Sequence, residues 1–245
     1  ENSEVSVVPV LKSYNVGTLT YEYDWGDGAG FQDCGGTCQP VGVNTYEQDG
    51  TYTVQVRVTD DAGDSDTSSK VVTIQNVAPV VSIATPPAVS EGSSSTISIT
   101  AWDASPVDRA ALTFDIDWNG DGNFTTAVAV TPLGNNVYAA TSPVYAENGV
   151  NVVKVRVNDN VTFTEAVTSV VVNNANPNIL SSVLGGGTTE GSTVTIDVTA
   201  TDAGTADSFI YEFDWNGDGI YDTVAPSTNN TYQGTHVYGN EGSWT

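Results

Sequence analysis

One short acidic turn occurs three times in this chain. Asp24-Trp25-Gly26-Asp27-Gly28 returns as Asp117-Trp118-Asn119-Gly120-Asp121-Gly122 and again as Asp214-Trp215-Asn216-Gly217-Asp218-Gly219, at spacings of 93 and 97 residues. A chain of 245 residues that repeats at this interval folds as successive modules, each with its own core, rather than as one large domain. Glu1-Asn2-Ser3, Glu91-Gly92-Ser93 and Glu190-Gly191-Ser192 occupy equivalent places before stretches such as Thr193-Val194-Thr195-Ile196-Asp197-Val198, whose alternation predicts half-buried strands. Later in each unit come Tyr46 with Gly50-Thr51-Tyr52-Thr53-Val54, Tyr145 with Gly149-Val150-Asn151-Val152, and Tyr238 with Gly242-Ser243-Trp244-Thr245. The first two continue into Val56-Arg57-Val58 and Val155-Arg156-Val157.

Proline-marked linkers, Asn76-Val77-Ala78-Pro79 and Asn174-Ala175-Asn176-Pro177, predict modules at 1–78, 79–176 and 177–245. The middle unit is whole. The first lacks the Pro-led opening strand and the third its last strands, so the chain reads as a fragment or processed product of a longer array. Strand exchange between identical chains is the alternative way to complete the end units. No initiating Met or signal peptide is present, in keeping with that reading.

Composition narrows the chemistry. Charged residues make up only 15% and Met is absent, while Val, Thr, Ser, Gly, Asn and Tyr abound, a bias towards strands and turns. Six basic against thirty acidic residues give a net charge of −24, which disfavours nucleic acid and anionic membrane surfaces and favours cations. No apolar run reaches the ~20 residues of a transmembrane helix, so membrane insertion is not expected. Cys34 and Cys38 flank Gly-Gly-Thr, a spacing suited to a small local disulfide in an oxidising compartment, with a two-cysteine metal pair as the alternative.

The run Tyr21-Glu22-Tyr23-Asp24-Trp25-Gly26-Asp27-Gly28, then Tyr46, then Gly50-Thr51-Tyr52-Thr53-Val54-Gln55-Val56, resembles the signature of the polycystic-kidney-disease (PKD) domain family. His236-Val237-Tyr238 is similar to that family's His-x-Tyr step, where the other two units carry Asn44 and Pro143. Units two and three depart from the pattern by one inserted Asn. The resemblance implies an all-β fold: tandem immunoglobulin-like (PKD-type) β-sandwiches of about seven strands each, arranged as an elongated rod.

Sandwich loops alternate between two poles, so Glu91, the Asp117–Gly122 turn and Glu147 should share the pole of unit two that faces unit three. The opposing pole would present Asp202 and Asp207, whose counterparts in unit two are Asp103 and Asp108. Acid facing acid calls for a hard cation, and calcium takes six to eight oxygens from flexible carboxylate sets. Asp117, Asn119 and Asp121 before Gly122, and Asp214, Asn216 and Asp218 before Gly219, also copy the early positions of an EF-hand loop without its helices or final glutamate. Glu91 and Glu190 are the candidates to complete those sets. Unit one, with a shorter turn and Ser13 where unit two has Asp103, is the poorer metal binder.

Other features read as structural. Trp25, Trp118 and Trp215 alternate with the aspartates of their strands and are expected in the core rather than on a sugar platform. His236, the one histidine, has no nucleophile placed beside it by the repeat and should pack by Tyr238. Asp115 and Asp117 recur with the module and do not read as a glycosidase pair. Asn123, Asn160 and Asn229 head glycosylation triplets, which matter only in a host with that pathway. No enzymatic activity is expected. The sequence predicts an extracellular, cell-surface spacer or adhesive segment of an adhesin, surface-layer or filament protein. Its partners would be neighbouring modules of the same or identical chains and a surface protein or glycan. Accessory modules of a secreted hydrolase are the alternative.

Overall fold

The computed structural model describes residues 1–11, 17–33, 41–223, 227–240 and 242. The predicted Cys34–Cys38 disulfide lies outside these residues. The protein is built almost wholly of strands, and none of its described helices is long and apolar enough to cross a membrane.

The middle module shows the architecture most fully. One sheet runs Thr131–Gly134, Val137–Thr141, Thr96–Trp102, Val80–Ile83; the other runs Thr113–Asp117, Gly149–Asn158, Phe163–Asn173, Val89–Ser90. All pairings are antiparallel except that of Val89–Ser90, which joins Phe163–Asn173 in parallel. The opening segment thus leaves one sheet and enters the other, closing an immunoglobulin-like sandwich. Period-two alternation supplies the core: Ile97, Ile99 and Ala101 from one inner face meet Phe114, Ile116, Val153, Val155, Val157 and Val170 from the other.

In the first module, Ser3–Val7 pairs with Gly42–Tyr46 opposite a sheet ordered Gln32–Asp33, Thr20–Asp24, Gly50–Thr59, Ser65–Ile74. Tyr23, Trp25, Tyr46, Val54 and Val56 are buried between them. In the third, Asn178–Gly186, Thr193–Thr201 and Thr231–Val237 form one sheet and Glu212–Phe213 pairs with Asp222–Thr223. Its described core is small, with Val198, Ala200 and Tyr211 buried, and Asn178–Gly186 is exposed along its whole length.

Two of the tryptophans behave as predicted for core residues: Trp25 and Trp118 are buried. Trp215 is half-buried, stacked between Phe213 and His236, and His236 meets Tyr238 edge-on. The repeated tyrosine has one role throughout. The hydroxyls of Tyr46, Tyr145 and Tyr238 donate to the carbonyls of Trp25, Trp118 and Trp215 at 2.8, 3.4 and 2.8 Å. Each pins the acidic turn against the body of its module.

A helix, Pro106–Ala111, interrupts the strands where the sequence suggested a loop. Ser105 caps it, its hydroxyl accepting from the N–H groups of Val107 and Asp108, and Pro106 fits the first turn because its missing N–H needs no partner there. The third module has Gly204-Thr205 at the equivalent place and no helix. That helix carries Asp108 to the boundary with the first module.

Candidate metal centre

The acidic turns satisfy themselves. Asp117 is fully buried; one carboxylate oxygen accepts from the N–H groups of Asn119 and Gly120 at 3.3 and 2.8 Å, the other from Gly122 at 3.0 Å, and Lys154 Nζ stands 4.0 Å away. Asn119 Nδ2 donates to Asp121, whose carboxyl is held below its ordinary value first by the Asn123 N–H. Asp214 accepts from Asn216, Gly217, Asp218 and Gly219, and the Gly219 N–H leads in lowering its pKa. Asn216 Nδ2 likewise donates to Asp218. Backbone N–H groups thus engage both carboxylate oxygens of Asp117 and of Asp214. Glu190 is exposed, and among the described residues neither Glu190 nor these turn aspartates join a group of three carboxylates within ligand distance.

Carboxylates gather instead between modules. Glu91 is 2% exposed; its Oε1 accepts from the Ala175 N–H at 2.7 Å, while Oε2 is buried without a partner. Asp202 and Asp207 of the next module present oxygens within 4.8 Å of it. Glu147 joins the boundary by accepting from Thr205 Oγ1 at 2.5 Å and Ala206 N at 2.9 Å. Desolvation raises the Asp207 pKa, and the charges of Glu91, Asp202 and Glu147 raise it further. Gly204 makes room for the cluster, since a Cβ there would lie 2.5 Å from Asp207 Oδ2 and 3.1 Å from Glu91 Cδ.

A second group sits at the boundary between the first and middle modules. Glu1, Asp103 and Asp108 are all buried, with ligand oxygens within 4.8 Å of one another. Burial first, and then Asp108, push the Glu1 carboxyl up; burial and the charges of Asp108 and Asp159 do the same for Asp103. Gln48 reaches across from the first module, its Nε2 donating to both oxygens of Asp108 at 2.9 and 3.1 Å and its Oε1 accepting from Ser105 Oγ.

The sequence placed Glu91 opposite Asp202 and Asp207 but left Glu1 out of any site. The missing signal was the repeat itself: Glu1 aligns with Glu91, and Asp103 and Asp108 with Asp202 and Asp207.

The first module can be compared directly with a known family. Residues 9–74 match the PKD domain family. This PKD match covers the acidic turn, the clamping Tyr46 and the Gly50–Thr59 strand. Similar solved structures include the titin I-band fragment, 11% identical over 91% of this chain and 78% of that one with a TM-score of 0.45. They also include Sidekick-1 immunoglobulin domains 1–5, at 10%, 96%, 50% and 0.36, and the fibronectin(III)-like modules of Clostridium thermocellum CbhA, at 16%, 70%, 86% and 0.28. No curated protein matches the chain.

Proposed function

We propose that this chain is an extracellular spacer segment of a larger surface repeat protein of adhesin, surface-layer or filament type, stiffened by calcium where the middle and third modules meet. The reading rests on Glu91. Its carboxylate is almost wholly buried, keeps one oxygen unpartnered, and faces two carboxylates of the next module. Three acids converging on a boundary repel one another, so without a cation the joint favours hinge angles that separate them. A hard divalent ion ligated by Glu91, Asp202 and Asp207 reverses that sign and fixes the angle. Tandem modules in series then give length, and the fixed joint limits bending. The net charge of −24 makes dependence on cations a property of the whole segment. Neighbouring modules of the same or identical chains are the natural partners of such a spacer.

Small-angle X-ray scattering at fixed ionic strength tests this reading. Chelating calcium from the wild-type chain is expected to shorten and broaden the distance distribution, and Asp202→Asn with Asp207→Asn should give the broad profile even in calcium. A profile indifferent to both removes calcium stiffening at this joint.

A further inference from the structure

We infer that the boundary between the first and middle modules is a divalent-cation site of its own, formed by Glu1, Asp103 and Asp108 and suited to calcium. It stands independently of the Glu91 site. Glu1 is 8% exposed and Asp103 fully buried, and each keeps one carboxylate oxygen, Glu1 Oε1 and Asp103 Oδ2, buried with no hydrogen-bond partner. Their other oxygens are fixed from behind: Glu1 Oε2 accepts from the Val77 N–H at 3.4 Å, and Asp103 Oδ1 from the Ser105 N–H at 2.9 Å. The backbone thus holds both groups and leaves one oxygen of each for the shared space. Asp108, 5% exposed and placed by its capped helix, adds a third carboxylate.

No described cationic side chain is paired with this trio, though the charge of Arg109 does act on Asp103. Among the described residues none of its members forms a salt bridge, and the nearby guanidinium of Arg109 is committed elsewhere. It donates to the Asp103 carbonyl at 2.9 and 2.7 Å and lies over the Trp102 ring. Gln48 supplies a neutral amide to Asp108, where the other boundary has Glu147. Buried carboxylates left unpaired are unfavourable. Carboxylate oxygens are hard, anionic ligands that suit calcium, whose six to eight positions further backbone or water oxygens would complete, and an all-oxygen set of this kind fits no soft metal.

The two boundaries are built alike. The backbone nitrogens of Glu1 and Glu91 both donate at 3.0 Å, to Gln75 O and Asn173 O. Their carboxylates accept from Val77 and Ala175, equivalent linker residues. Asn2 and Gly92 both take positive φ, 50° and 75°, and both donate at 2.7 Å, to the carbonyls of Tyr46 and Tyr145. One glutamate is thus delivered to each following module by the same local device, and of the two boundaries the first is the one that buries all three of its carboxylates.

Calorimetric titration of the full chain with calcium separates the possibilities. Asp202→Asn with Asp207→Asn is expected to leave one bound ion, and Glu1→Gln with Asp103→Asn to remove it. A Glu1→Gln, Asp103→Asn chain that binds as many ions as wild type overturns the inference and leaves the Glu91 reading untouched. Loss of all binding on substituting Asp202 and Asp207 overturns it as well. Folding is checked by melting in chelator, where the amide pair should melt no lower than wild type because it removes buried repulsion, and should gain nothing at this boundary from calcium. Asp108→Asn alone, which keeps the buried pair intact, is expected to weaken that ion by ~10-fold or more; unchanged affinity counts against the site.

Discussion

Single carboxylates in this protein differ by what surrounds their oxygens. Asp159 lies in the turn between Gly149–Asn158 and Phe163–Asn173, 1% exposed, accepting from Val161 and Thr162 at 2.8 and 2.6 Å and from the Asn76 amide of the linker at 2.9 Å. Burial works to raise its pKa, but the Asn76 amide and the Thr162 and Val161 N–H groups together bring it below the ordinary value of 3.8. A depressed acid stabilises the fold above its unfolded pKa, and that stability is lost as pH falls through the lower folded value. Asp159→Asn should therefore cost about 1–3 kcal/mol at pH 7. In urea denaturation the gap to wild type should close as the pH is taken below 3.8. A gap that stays constant across that range argues that Asp159 acts by shape alone.

At the level of elements, the acidic turn and the tyrosine after it form one unit. Gly26 shows why the turn is Gly-rich: its φ is 72°, and a Cβ would stand 2.7 Å from the Thr53 carbonyl oxygen and 2.8 Å from its nitrogen. Gly26→Ala is expected to destabilise the first module by about 1–2 kcal/mol, because strain in φ adds to a backbone clash. Tyr46→Phe keeps the ring but strands the buried Trp25 carbonyl, at a cost of about 1–3 kcal/mol. Tyr145→Phe should cost less, since its bond is already 3.4 Å long. Chemical denaturation followed by tryptophan fluorescence compares them, and equal losses would mean that the clamp's bond length is immaterial.

Across the whole molecule, stability should be unequal. Thirteen hydrophobic side chains are buried in the middle core, five in the described part of the first and three in the described part of the third. With each fully buried Val or Ile worth roughly 1.5–3 kcal/mol, the middle module is the most resistant element and the third the first to open. Hydrogen exchange on the full chain should protect Gly149–Asn158 longest and Asn178–Gly186 least. Slower exchange in the third module than in the middle one would contradict this order.

The modular plan, the strand alternation and the turn chemistry were legible in the sequence because they are local or recur at a fixed interval. Trp118 alternates with its aspartates, and Gly120 and Gly122 sit where φ is positive, whatever else the chain does. The repeat also sufficed to set Glu91 against Asp202 and Asp207. Tertiary structure decided which acids have oxygens to spare. Asp117 and Asp214, the best motif matches, accept from their own backbone N–H groups on both oxygens, whereas Glu1 and Asp103 each keep one buried oxygen with no hydrogen-bond partner. Ser105 turns an expected loop into the helix that brings Asp108 to that boundary. Sequence spacing tells which residues share a turn; solvent exclusion between surfaces far apart in the chain determines which carboxylates remain unpaired, and that is settled by docking rather than by motif.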